Sequence, residues 1–213
     1  MLNTTEELIE AIRNGEMIIL MDDEDRENEG DLIVAAEKLN YEQLNFILNN
    51  TSGIICLTLT EEDSKRLDLP LMIPSVANNS KFGTNFTVTI EAARGVTTGV
   101  SVSDRLTTIK AAIADGAMPE DLSRPGHIFP IIARDGGVLK RNGHTEASVD
   151  FAKLAGLKPF SVLCEIMNKD GTMKRKNELV DFAKNNNLKI GTIKNLVKYR
   201  ENYEEVNIIK EVS

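Results

Sequence analysis

The chain has 213 residues, 41% apolar and 27% charged, with a formal net charge of −8, two cysteines and two histidines. That is enough chain to bury a core without staples, read as one domain over 1–213, and its acidity argues against nucleic acid and anionic membrane as partners. Cys56 and Cys164 form neither a metal-type pair nor a disulfide framework. No stretch is apolar enough to span a bilayer, and the polar start Met-Leu-Asn-Thr-Thr-Glu-Glu is unlike a secretory leader, so the expected compartment is the cytoplasm.

In chain order, Thr4 and Glu7 make a capping-box pattern before Leu8, Ala11 and Ile12, and Gly15 stops that helix. Met17–Met21 and Asp31–Ala36 read as buried strands on either side of an acidic loop. Tyr41–Asn49 is a helix, Ile54–Thr60 a strand and Glu61–Leu67 a short helix. Residues 68–84, with Pro70, Pro74, Asn78, Asn79 and Gly83, form a long loop. Asn85–Ala92 alternates as a half-buried strand does, and Ser103 is the expected cap of a helix running through Ala114. His127–Ala133 is a strand, Asp135-Gly136-Gly137 a turn, Thr145–Leu154 a helix and Ser161–Met167 a strand. Asn177–Lys184 and Thr192–Tyr199 are helices, and the last residues have no assigned element. Without a strict βα repeat, this order predicts an α+β domain: a mixed, partly antiparallel sheet flanked by helices.

Seven of the ten residues from Asp22 to Asp31 are acidic. An acidic run is ordinarily a solvated face. This one is wedged between two apolar strands, where crowded carboxylates repel unless a cation sits among them, and oxygen ligands suit Mg²⁺ or Mn²⁺. Asp25 to Gly30 imitates the start of a calcium loop, but position twelve is Ala36 rather than Glu and the flanks are strands.

A lone histidine is more often a surface or core residue than a ligand. His144, however, lies in Arg141-Asn142-Gly143-His144-Thr145-Glu146 at a helix start, with free N–H groups and a fixed cation beside them, a natural phosphate site. His144-Thr145-Glu146 also matches the His-x-Glu of zinc deaminases, but no Pro-Cys-x-x-Cys accompanies it. Asp104-Arg105 reads as a charged helix cap and Cys56 as a small core residue. Glu165 interrupts the strand Val162-Leu163-Cys164-Glu165-Ile166-Met167, where burial raises a carboxyl towards general acid–base use. These residues alone leave open a metal-dependent sugar-phosphate enzyme of another kind, an isomerase or aldolase, and a non-enzymatic metal-binding module.

Five segments taken together resemble the 3,4-dihydroxy-2-butanone 4-phosphate synthase family. They are Asp23-Glu24-Asp25-Arg26-Glu27-Asn28-Glu29-Gly30-Asp31; Ser52-Gly53-Ile54-Ile55-Cys56; Thr97-Thr98-Gly99-Val100-Ser101 with Ser103-Asp104-Arg105; Arg124-Pro125-Gly126-His127-Ile128-Phe129-Pro130; and Gly143-His144-Thr145-Glu146-Ala147. The resemblance implies an α+β homodimer with active sites at the subunit interface. It also implies Mg²⁺-dependent (or Mn²⁺-dependent) conversion of ribulose 5-phosphate to 3,4-dihydroxy-2-butanone 4-phosphate and formate in riboflavin biosynthesis. By position, Glu27 and His144 are the implied metal ligands. His127, Glu165 and Asp31 are implied in catalysis. Arg26, Glu27, Asp31, Glu165 and the stretch Arg141, Asn142, Gly143, His144 and Thr145 are implied in substrate binding. Asn142 is expected to contribute backbone only, and Asp22 to Glu24 are expected to be mostly solvated.

Overall fold

Local chemistry places the first helix. Thr4 accepts from the Glu7 amide while the Glu7 carboxylate accepts from the Thr4 amide, and helix α1, Thr5–Arg13, runs from that box. Asn40 and Gln43 cap helix α2, Tyr41–Asn50, in the same way; losing such a cap costs about 1 kcal/mol. The structure is a computed structural model describing residues 2–51 and 54–212, with backbone alone from Tyr203 onward.

Strands β1 (Ile18–Met21), β2 (Gly30–Ala35), β3 (Cys56–Leu59), β4 (Ile90–Ala92), β5 (Leu122–Ile132), β6 (Ser161–Glu165) and β7 (Lys189–Thr192) form one sheet in the order β4-β5-β3-β6-β2-β1-β7. The β1–β7 and β3–β5 pairs are parallel and the other four antiparallel, which makes the sheet mixed as expected. The remaining helices are α3 (Glu61–Arg66), α4 (Val102–Ile113), α5 (His144–Leu154), α6 (Lys176–Asn185) and α7 (Ile193–Val212).

Because side chains alternate across a strand, each central strand feeds two cores. Ile18, Leu20, Ile33, Cys56 and Leu163 pack with Leu8 and Ile12 of α1, Phe151 of α5 and Leu196 of α7. Ile19, Leu32, Leu57 and Val162 face the opposite way, towards Leu44 of α2, Ile109 of α4 and Leu179 of α6. Helices therefore cover both faces, and the strands between them are buried throughout.

Several boundaries differ from the sequence reading. The cap of α4 is Ser101, whose hydroxyl accepts from the Asp104 amide; Ser103 lies one residue inside the helix. The segment Asn85–Ala92 is regular strand only from Ile90. Before that it makes single bridges, Phe86 to Ile131 and Thr87 to Leu71, because it changes partners between the 68–84 segment and β5. Strand β5 begins at Leu122, five residues earlier than read, and passes through Pro125. Lys189–Thr192 is a strand whose pattern was too short to read, and the unassigned tail continues α7.

Candidate active site and metal centre

The acidic loop joins β1 to β2, closing at the Met21↔Gly30 pair. One carboxylate shapes it. Asp22 accepts from the backbone amides of Glu27 (3.0 Å) and Glu29 (2.8 Å) and from Arg26 Nη1 (2.8 Å), and its side chain is only 1% exposed. The expectation of solvent exposure therefore holds for Asp23 and Glu24 but not for Asp22. Arg26 also bonds Glu27 and lies over the Phe82 ring at 4.8 Å. Asn28 turns the loop with φ of 55°, a conformation asparagine tolerates.

The loop delivers Glu27 to the start of β2, where Asp31 pairs across the sheet with Glu165 of β6. Directly opposed residues are about 5 Å apart, so two carboxyls stand side by side. Asp31 Oδ1 and Glu165 Oε2 are buried without a partner. His144, the first residue of α5, closes the group. Its Nε2 lies 3.0 Å from the Leu20 carbonyl, an acceptor, so the proton sits on Nε2 and Nδ1 turns to Glu27 Oε2 (3.7 Å) and Asp31 Oδ2 (3.8 Å).

Electrostatics follow from that crowding. Burial pulls the His144 imidazole down, but Asp31, Glu27 and Asp22 outweigh it and raise it to about 9. Burial pushes Asp31 up to about 8 and raises Glu165 as well. For Glu27 burial acts upward, but His144 and Arg26 win and hold it at about 2. The metal-free site thus keeps protons as its counter-charge. Asp22, Glu27 and His144 each offer a ligand atom within 4.8 Å of the others. Since the Asp22 oxygens already take three donors, Glu27 and His144 are the freer pair. Orphaned buried oxygens and an oxygen–imidazole donor set fit a hard divalent cation.

Beside this group is a cavity of about 170 Å³ lined by Arg26, Glu27, Asp31, Arg141, His144, Thr145 and Glu165, all anticipated from sequence. Glu29, Thr84, Phe86, Ile131 and Leu163 complete the wall and were not anticipated. A larger cleft of about 470 Å³ lies along the outside of the acidic loop, but it is lined by Asp23, Glu24, Asp25, Lys176 and Lys194, without a histidine or an orphaned carboxylate.

Arg141 is held from three sides: Glu146 Oε2 at 2.6 Å, the Phe82 carbonyl at 3.0 Å and the Thr84 hydroxyl at 3.2 Å. Glu146, in the motif but not among the predicted site residues, also accepts from the Arg134 amide and is almost fully buried. Gly143 lies beneath this pair; a β-carbon there would collide with the Arg141 guanidinium. Helix α5 starts at the cavity wall with no side-chain cap, leaving its first amides available.

Three anticipated residues stand apart from the cavity lining: Gly143, beneath the Arg141–Glu146 pair, Asn142 and His127. Asn142 is exposed. His127 is 46% exposed and bonded to Glu91. The registers Cys56↔Phe129, Cys56↔Leu163 and Asp31↔Glu165 place His127 in the cross-strand row of Asp31, three strands away, or about 14 Å at sheet spacing. Ser52 and Gly53 of the second family segment lie outside the described residues.

A mixed sheet between two helical layers, with a buried carboxylate–histidine group at one loop, defines an α+β enzyme-like site built for a small anionic ligand. A family model described as 3,4-dihydroxy-2-butanone 4-phosphate synthase matches residues 6–199. The synthase of that name from Klebsiella pneumoniae subsp. pneumoniae is 56% identical over 93% of this chain and 91% of its own. A solved synthase in complex with two magnesium ions is 39% identical, with a TM-score of 0.91 over 95% of this chain and 99% of its own. A two-domain synthase from A. baumannii is 50% identical with a TM-score of 0.89, and this chain spans 58% of it. The chain belongs to the 3,4-dihydroxy-2-butanone 4-phosphate synthase family. Its members act in riboflavin biosynthesis on ribulose 5-phosphate.

Proposed function

We propose that this chain, as one domain over 1–213, is a magnesium-dependent carbon–carbon lyase that converts D-ribulose 5-phosphate to 3,4-dihydroxy-2-butanone 4-phosphate and formate, with Mn²⁺ as an alternative ion. The observation that carries the reading is the grouping of buried Asp31 and His144 with half-buried Glu27 and Glu165 around one small cavity in a chain of this family.

Glu27 and His144 hold the cation. When bound, it supplies Lewis acidity to adjacent substrate oxygens. Asp31 and Glu165, both raised by burial in the absence of the ion, are the groups that exchange protons with the sugar. Positioned acids and bases of this kind contribute roughly 10²- to 10⁴-fold each. The phosphate is anchored by the uncapped amides at the start of α5, at His144 and Thr145, with Gly143, whose own amide donates to the Arg141 carbonyl, and the Asn142 backbone beside them. Arg141 supplies charge, but its pairing with Glu146 leaves the amides a larger share of the work. Arg26 faces the sugar from the acidic loop.

A homodimer accounts for His127, which acts in catalysis yet stands exposed on the cavity's side of the sheet; a second copy closes that face. The buried thiols of Cys56 and Cys164 fit a cytoplasmic location, and no helix among the described residues is long and apolar enough to cross a membrane. The test is formate release from ribulose 5-phosphate and Mg²⁺, with and without EDTA. Formate that disappears with EDTA is expected; its absence from well-folded, Mg²⁺-loaded protein refutes the reading.

A further inference from the structure

We propose that Glu91 is a positioning residue for His127: its carboxylate holds the imidazole with Nδ1–H inward and presents the Nε2 lone pair to the reacting face. The inference rests on the reading that His127 takes part in the reaction, and it adds a residue outside the five resemblance segments.

The argument begins with the backbone. Ile90 pairs with Ile128, but the next residue, Glu91, pairs with Ser123, so residues 124–127 of β5 bulge against a single step of β4. Bulges of this type re-aim side chains beside active sites. An unbroken ladder would set His127 directly across from Glu91, and the two side chains still meet although Ser123 takes that backbone position in the bulge. Its packing is close: Gly126 donates its amide to the Thr89 hydroxyl at 3.0 Å, and a β-carbon on Gly126 would collide with the Ile90 carbonyl.

The carboxylate is then fixed at both oxygens. Glu91 Oε1 accepts from Thr108 Oγ1 of α4 at 2.6 Å, and Oε2 lies 2.7 Å from His127 Nδ1. The Glu91 side chain is 12% exposed while His127 is 46% exposed, so the acid is the buried, rigid half and the imidazole faces out. An ionised carboxylate only accepts, so a neutral imidazole bonded to it carries its proton on Nδ1, leaving Nε2 as the free base. This is the logic of a base oriented by a third group.

A second layer holds the pair. Gly99, at φ of 82°, covers it so closely that a β-carbon would collide with Glu91 and approach His127 Nδ1. The turn carrying Gly99 is pinned by Asp104, which accepts from the Thr97 hydroxyl (2.8 Å) and the Gly99 amide (3.0 Å). The segment Thr97 to Ser101 and the acid Asp104, which contribute nothing to the metal cavity, thereby gain a role: they wall in the Glu91–His127 pair.

The chain's two histidines make the test direct. In the Mg²⁺-loaded protein with ¹⁵N-labelled histidine, His127 is expected to give the Nδ1–H tautomer pattern, assigned by its loss in His127→Gln. Glu91→Ala is expected to mix or reverse that pattern and to lower kcat roughly 10- to 100-fold, with KM changed much less. Glu91→Gln, which keeps an acceptor oxygen, should recover part of the loss, and it serves as the readout if the alanine variant fails to fold. The double variant Glu91→Ala/His127→Gln should be no slower than His127→Gln alone. An unchanged tautomer pattern in Glu91→Ala, or losses that multiply in the double variant, overturns the role of Glu91. Full activity of His127→Gln overturns the reading on which it rests.

Discussion

Loading the metal centre should expel protons. A ligating imidazole nitrogen must be bare, yet in the metal-free site His144 Nδ1 faces Glu27 and Asp31, and His144 is raised to about 9. That is about two above neutrality, so unloading the proton at pH 7 costs about 2.7 kcal/mol, roughly a hundredfold in apparent affinity. Asp31, raised to about 8, adds a cost of the same sign. The apparent Kd for Mg²⁺ should therefore fall by up to about tenfold per pH unit between 6.5 and 8.5 for each proton displaced. Titration calorimetry in buffers of different ionisation enthalpy should count between about one and two protons released per ion at pH 7. The Leu20 carbonyl keeps the Nε2 proton in place, so only the Nδ1 side takes part. A pH-independent Kd with no buffer dependence would refute both the ligand assignment and the electrostatic account.

The same shifts predict the stability of the metal-free protein. Asp31 and His144 bind protons more tightly folded than unfolded, so their contributions weaken as pH rises, through about 4 to 8 for Asp31 and about 6.5 to 9 for His144. Thermal melts with EDTA should show Tm dropping from pH 6 to 9, and Mg²⁺ should restore most of it; a flat Tm would contradict the protonated-site picture. Glu27→Gln should lower formate production at least roughly a hundredfold while Glu24→Gln, at an exposed position, changes it little; equal losses would remove Glu27 from the metal. Glu146→Ala leaves the Arg141 charge, on a side chain 13% exposed, with only the neutral Phe82 carbonyl and Thr84 hydroxyl as partners, and breaking a buried pair from one side costs about 3–5 kcal/mol; urea unfolding checks this, and a cost under about 1 kcal/mol would mean that those neutral partners suffice.

Features set by neighbours in the chain were legible. The capping box at Thr4, the helical pattern of Tyr41–Asn49, the apolar runs of β1 and β2 and the glycine before α5 all act within a few residues, and the predicted elements there match to within about two residues. The acidic loop and His144 were legible as chemistry because crowded carboxylates between apolar strands are physically unusual. What escaped depends on distant partners. Glu91 alternates with Ile90 as any half-exposed strand acid does; its bond to His127 depends on pairing with a segment 36 residues away. Asp22 looked like one more solvated acid because its three donors come from residues folded back over it. Strand β7 is four residues with a glycine, stabilised by pairing with β1 and by little of its own.

Asp22 also bears on how an ion is captured. Its carboxylate satisfies two amides and a guanidinium in the absence of any cation, so the arc that presents Glu27 is already set before metal arrives. Ordering a residue's backbone costs about 1–2 kcal/mol, and here that entropy is lost during folding. Capture then draws only on dehydration and proton displacement. On the proposed reading the loop would act as a preformed chelate arm, and its amides should be as protected from hydrogen exchange in the metal-free protein as in the loaded one.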